Sequence, residues 1–464
     1  MTAPGIRALP ERYGRRTLVA LALIAVLGLG LRAYAVVHPV ANPADDSHAY
    51  YGLAKALYEE GSYGGPEFRD SSDWSPGAPL LYAASFYLTG GAREGTARIV
   101  EALMGTAAIL VVFALGARLG GRGTARGRWT GLLAAFAVAV YPPFIHSTGE
   151  LMSEPPALLT LPAAVLAFLW AGEQERPWAW LVPGFLFGLT AMFRPEYLFV
   201  AAVFVVLAAI RVWIGRGPRP ALAGAATLLV ALLVAIVPWT IRNLVVLERL
   251  VPISTGSGKA LYVGTFYPAD GEYQRVKAIL YERYEHRSLP PNSEALNDVD
   301  PTPLFDRVAN EYKAEMGEPD LPRDSALGKV GKEDFSKYFG EDPLGYLGMT
   351  ARKVGRIWSS GVGEAMSSTP GRVVQLLLVF AGLAGFVLLG VRRRWWELAA
   401  LATPIVIVTA VGAISLAAPR RNEVLMTLVF PLAALALSSA VSALSSRREW
   451  SPQQSPSETS SQPN

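Results

Sequence analysis

The stretch SPGAPLLYAASFYLTGG, residues 75–91, decides how the chain is threaded. It is apolar, but Gly and Pro bound it, and it is shorter than the roughly 18–22 residues a helix needs to cross ~30 Å of hydrocarbon. Counting it as a span would reverse everything after it. The arginines at 118, 122, 126 and 128 would then face outward, against the bias of basic residues toward cytoplasmic loops. The segment therefore reads as an interfacial or re-entrant helix.

Around this segment the chain is greasy. Of its 464 residues 52% are hydrophobic and only 17% charged, gathered in long apolar blocks as in an integral membrane protein. Ten spans are expected, at 17–37, 99–119, 129–144, 151–170, 178–193, 197–214, 221–241, 373–391, 398–417 and 424–444. The first follows Arg7, Arg12, Arg15 and Arg16. It is longer than the apolar core of a signal peptide and lacks a good cleavage site, so it reads as an uncleaved span. With the N-terminus inside, alternate loops carry Arg118 to Arg128, Arg176, Arg211 to Arg219, Arg392 to Arg394 and Arg447/Arg448, all basic. The opposite short loops hold few cations apart from Arg194 and the Arg420/Arg421 pair.

The expected architecture is an all-α polytopic membrane protein. A cytoplasmic N-terminus (1–16) leads into a membrane module (17–241) whose first outer loop (38–98) holds interfacial helices. A mixed, mostly helical extracytoplasmic domain (242–371) follows, then C-terminal membrane helices (372–444). The polar tail (445–464) should be a disordered cytoplasmic segment.

In that first outer loop lies ANPADDSHAYYGLAKALYEEGSYGG, residues 41–65. Tyr50, Leu53, Ala54 and Leu57 recur at helical spacing, as in a helix lying on a membrane. Asp45 and Asp46 stand just before them. Further ionisable groups gather at the outer helix ends: Arg98 and Glu101, Glu150 and Glu154, Arg194 and Glu196, Arg242, then Arg420, Arg421 and Glu423. Charges beside a membrane are costly and mark functional candidates. Each also has a plainer reading. Arg98 with Glu101 suits a helix-surface ion pair, Arg194 a snorkelling side chain, and Glu154 a helix first turn. Arg420 and Arg421 suit interfacial anchors, and the Asp pair a helix cap. What they share is one face.

Other classes lack their signatures. There is no P-loop, no GxGxxG turn and no HExxH. With no cysteine and four scattered histidines, a structural zinc site is not expected. The arginines form no stripe for nucleic acid, so no nucleic-acid partner is expected. A transporter or flippase, the alternative reading, calls for mid-membrane charges on broken helices. A non-enzymatic scaffold would not need acids and arginines at so many outer helix ends.

The chain resembles the GT-C superfamily of membrane glycosyltransferases, in the branch of bacterial protein O-mannosyltransferases and the lipid A aminoarabinose transferase (glycosyltransferase family 39-like). The resemblance rests on Asp46 four residues before Tyr50, and on WSPGAPLLY, GTARIVEALMG, LMSEPPALL, FRPE, VPWTIRN with VPISTGSGKALYVG, and APRRNEVLMTLVFPL, in that order. The family's Asp-Glu pair is altered: Ser47 stands in place of the Glu, while Asp45 keeps a second acid nearby.

The resemblance implies a polyprenyl-phosphate-linked sugar as donor and inverting transfer to a hydroxyl or amine on a protein, glycan or lipid. The setting would be the outer face of a bacterial inner membrane. A carboxylate suits the general base and arginines suit the leaving phosphate. Asp46 is the expected base, with Asp45 orienting it. Arg242, Arg420, Arg421, Arg98 and Arg194 are the expected phosphate ligands. Tyr50, Glu150, Glu154, Glu196, Lys259 and Tyr262 are the expected substrate contacts. A divalent metal is compatible but not required.

Overall fold

The structure, a computed structural model, describes residues 13–40, 45–64 and 72–449; the side chains of Asp45 and of residues 445–449 lie outside that description. Arg7, Arg12, the Arg447 and Arg448 side chains and most of the expected tail fall outside it too. The described residues form helices and no strands.

The chain opens with α1 (Arg15–Val37), followed by two short helices, α2 (Asp45–Glu59) and α3 (Gly77–Thr89). At 13 residues, α3 is about 20 Å long and falls short of the apolar core of a bilayer. Helix α2 packs on α3 through a small cluster that includes Tyr50, Ala54, Tyr82, Ala83 and Phe86. The face expected from helical spacing is the buried one: Tyr50, Leu53 and Ala54 are buried and Leu57 is half-buried.

The helices of the bundle come next. They are α4 (Glu94–Gly120), a bent pair α5 (Ala125–Val140) and α6 (Pro142–Glu150), α7 (Glu154–Ala171), α8 (Leu181–Phe193), α9 (Tyr197–Arg216) and α10 (Pro218–Leu247). Helix α4 meets α5 along two small-residue seams, Gly116/Gly120 and Gly127/Gly131, where a Cβ on Gly127 would lie 2.0 Å from the Gly121 carbonyl oxygen. Such seams let helix backbones touch where lipid supplies no hydrophobic drive.

Seven shorter elements then form the outer domain: α11 (Ser257–Thr265), α12 (Tyr273–Glu285), α13 (Glu294–Asn297), α14 (Thr302–Met316), α15 (Arg323–Glu341), α16 (Pro343–Ser359) and α17 (Glu364–Ser367). Tyr262, Val276, Leu280, Phe305, Val308 and Leu327 make its core. The last membrane helices are α18 (Thr369–Val391), α19 (Trp395–Ile414) and α20 (Arg420–Glu449).

Eight of the described helices are long and apolar enough to cross a membrane, or nine if the pair bent by 44° at Tyr141 is one span. Nine of the ten expected spans fall on these helices. The span expected at 178–193 is a single turn running directly into α8, together the shorter apolar helix Pro177–Phe193. Glu150 also changes place. It ends α6 rather than opening the next span, because Leu151 turns the chain through a left-handed conformation (φ 59°) before α7 begins at Glu154.

The outer domain is clamped to the bundle. Leu416 donates its amide to Ala260 O at 2.9 Å, and Asn422 Nδ2 donates to Ser360 O at 2.8 Å. Within the domain, the fully buried Lys353 donates to Gly264 O at 2.7 Å. A Cβ on Gly264 would lie 2.2 Å from the Ser415 carbonyl carbon, so glycine there lets the domain sit down on the loop before α20.

Candidate active site

Asp46 lies in the first turn of α2, outside the membrane-length helices. Its carboxylate accepts from Arg420 Nη1 at 2.7 Å and from the Trp74 indole at 3.3 Å. Arg420 begins α20. It also donates through Nε and Nη2 to the two oxygens of Glu154, and the Nη2 bond is 3.2 Å long. Glu154 is 1% exposed and is shared by Arg194, whose Nε and Nη2 donate to Glu196 at 3.1 and 2.9 Å. Arg421 Nη1 stands 3.8 Å from Glu196, while its Nε donates to Leu416 O at 2.7 Å.

Three acids and three arginines thus alternate in one network, built from α2, the loop between α8 and α9, and the first turns of α7 and α20. Each helix start brings its side chain to the same end of the bundle. Asp46 is 39% exposed and Arg420 26% exposed, so the network opens to solvent on the Asp46 side and is closed at Glu154.

The network sets the ionisation of its members outside the spans. Burial alone would push the Asp46 carboxyl up. The charge and hydrogen bond of Arg420, with help from Trp74 and Lys259, outweigh it and hold Asp46 below the usual carboxylate range. Burial likewise opposes charge on Glu196, yet Arg194 and Arg421 pull its pKa down to about 2. Arg194 loses favour by burial but is held more firmly protonated by Glu196 and Glu154. Tyr50 is pushed up by burial and by the negative charge of Asp46.

Not every candidate meets here. Arg242 donates to Tyr63 O at 2.6 Å and to Asn243 at 3.1 Å, and its guanidinium lies over Tyr63 and Trp239 at 5.2 and 5.0 Å. Arg98 pairs with Glu94 at 2.7 Å rather than with Glu101 and donates to Gly149 O at 3.2 Å. Glu101 is instead fully buried, accepting from the Tyr82 hydroxyl and, at 2.9 Å, from the Met152 amide. Glu150 faces His146 at 3.5 Å. Tyr262 belongs to the outer-domain core. Lys259 lies over Phe305 and Tyr273 at 5.4 and 5.9 Å and acts on Asp46 through its charge.

Trp74 is a site residue that sequence reasoning did not single out. It opens the WSPGAPLLY motif, and its place beside an interfacial helix was the available signal. Among the described residues no three His, Asp or Glu side chains converge as a metal site would require.

Residues 73–240 match the family model described as dolichyl-phosphate-mannose-protein mannosyltransferase. No curated protein matches by sequence. Among solved structures, the chain is similar to the oligosaccharyltransferase AglB of Archaeoglobus fulgidus in complex with an inhibitory peptide and a dolichol-phosphate. The TM-score is 0.54 at 13% identity, over 94% of this chain and 51% of that one. An Archaeoglobus fulgidus oligosaccharyltransferase tethered with an acceptor peptide gives a TM-score of 0.52 at 14% identity, over 93% and 50%. This chain therefore spans about half the length of those relatives. A looser likeness is ArnT from Cupriavidus metallidurans bound to undecaprenyl phosphate, with a TM-score of 0.38 at 13% identity over 92% and 79%. Residues 73–240 are thus similar to the dolichyl-phosphate-mannose-protein mannosyltransferase family, within a membrane fold similar to that of the oligosaccharyltransferase AglB.

Proposed function

We propose that this chain is an inverting glycosyltransferase that moves a sugar from a polyprenyl-phosphate donor to an acceptor hydroxyl or amine. The acceptor belongs to a protein, a glycan or a lipid, and the reaction runs on the outer face of a bacterial inner membrane. One observation carries this reading: Asp46 is partly exposed at the end of the bundle, beside arginines that sit at the starts of helices. A lipid-linked donor delivers its phosphate and sugar at that depth.

The acceptor's lone pair forms a bond to the anomeric carbon on the face opposite the phosphate. The bond from that carbon to the phosphate oxygen breaks, and its electron pair leaves with the phosphate. Asp46 receives the acceptor proton. Arg420, with Arg421 and Arg194 behind it, stabilises the charge growing on the leaving group, and a planar guanidinium matches two phosphate oxygens at once. Arg242 and Arg98 serve the surrounding shell, since each is held by local partners. Tyr50, Trp74 and Lys259 shape the wall around the base. Asp45 is the neighbour that orients the acceptor or Asp46 itself.

The test is genetic and chemical. A deletion strain loses one sugar mass from an envelope acceptor, and the wild-type chain restores it. Asp46→Asn at equal membrane level leaves the mass missing, whereas Asp45→Asn restores most of it. Full restoration by Asp46→Asn would overturn the reading.

A further inference from the structure

The end of the bundle away from Asp46 holds a second charge cluster that the transfer reaction does not use. Helix α4, about 40 Å long at 27 residues, separates the two ends. In its last turn Arg118 is only 6% exposed. Its Nη2 reaches Glu173 at 2.7 Å and Glu397 at 3.8 Å, while its Nε and Nη1 are buried with no partner among the described residues. Arg211, near the end of α9, forms no ion pair among the described residues, and its Nη1 is buried without a partner. Its guanidinium lies over Trp396 at 5.0 Å. Gly172 makes room for it, since a Cβ there would lie 1.8 Å from Arg211 Nε. At the rim, Arg122 reaches Glu173 at 3.0 Å and Arg394 reaches Glu397 at 2.9 Å.

Four guanidinium groups therefore face two carboxylates, and Arg118 among them is buried. Buried donors without acceptors and an uncompensated positive charge both cost free energy. A group bearing several acceptor oxygens and negative charge relieves both. Glu173 marks where it fits: its two oxygens bridge Arg118 and Arg122 from the solvent edge, and at 39% exposed it is free to swing outward. Arginine forks match phosphate oxygens two at a time, and basic pockets between helices at the headgroup level attract anionic lipids.

We propose that Arg118 and Arg211, rimmed by Arg122 and Arg394, form a phosphate-binding site in the leaflet opposite the Asp46 network. The phosphate displaces the Glu173 carboxylate and takes its two arginines. An anionic lipid headgroup or free phosphate has the required chemistry.

The full chain, purified in detergent, is titrated with phosphatidylglycerol, phosphatidylcholine and inorganic phosphate, with binding read by native mass spectrometry and thermal shift. Wild type binds phosphatidylglycerol in preference to phosphatidylcholine. Arg211→Gln, which breaks no ion pair, and Gly172→Ala each weaken this by about tenfold, the scale of one charge-assisted contact. Glu173→Gln strengthens it by a similar factor, because a competing carboxylate is gone. If inorganic phosphate gives the variant-dependent shift and the lipid does not, the same site takes free phosphate. If neither probe binds preferentially, or Glu173→Gln lowers stability without raising affinity, the cluster is only an ion-pair clasp and the proposal fails.

Discussion

Arg420 donates to Asp46 and to both oxygens of Glu154 at once, so a phosphate arriving beside it competes with a carboxylate. Donor binding and base strength are then linked. As long as Arg420 holds Asp46, the carboxyl stays below its usual range; when a phosphate draws Arg420 away, the carboxyl becomes a better proton acceptor. Asp46→Asn should abolish transfer while leaving polyprenyl-phosphate affinity equal to or tighter than wild type, measured by titration of the purified chain. A large loss of affinity would mean that Asp46 helps bind the donor. Glu154 plays a different part, because it is buried between two arginines. Glu154→Ala leaves both cations without their shared partner, and removing one member of such a pair costs about 3–5 kcal/mol. Thermal unfolding in detergent should show a clear drop, and an unchanged midpoint would place the strength of the network elsewhere.

Among the elements, α16 is tied to α11 within the outer domain through a lysine buried beside a carbonyl. Burial, with Arg356 and Arg421 nearby, pushes Lys353 down to about 7. Below pH 7 it is protonated both folded and unfolded and adds no pH dependence. Between about 7 and its ordinary value of 10.5, the unfolded chain binds the proton and the folded chain does not, so stability rises with pH across that window. Melting of wild type relative to Lys353→Met from pH 7 to 9 should rise, and parallel curves would refute the burial. Sequence reasoning reached some of these elements and not others. The buried face of α2 and the short α3 were legible, because helical spacing and length are local. The expected pairing of Arg98 with Glu101 was one turn out, because Arg98 pairs with Glu94 on its N-terminal side. The meeting of Asp46, Glu154, Arg194 and Arg420 was legible only as a shared face. Which arginine takes which acid depends on how α7 and α20 pack. Lys353 gave no signal at all, since its burial is made by Gly264 from a different helix.

At the scale of the whole molecule, Gly123 follows α4 at one end, while Asn292 lies in the outer domain clamped near α20 at the other. Reporter fusions at these two positions should respond as inside and outside respectively. The same sign at both would dismantle the topology and the proposed side of the reaction together. The network at Glu154 has a consequence for biosynthesis. Arg194 follows Glu154 by 40 residues, but Arg420 follows it by 266. At roughly 5–20 residues per second, the ribosome needs on the order of tens of seconds to supply that last partner. Throughout the interval Arg194 is the one arginine of the network made, and it faces both Glu154 and Glu196. Arg194 thus acts first as a custodian of insertion and only afterwards as part of a finished site, which comes into being when the final helix enters.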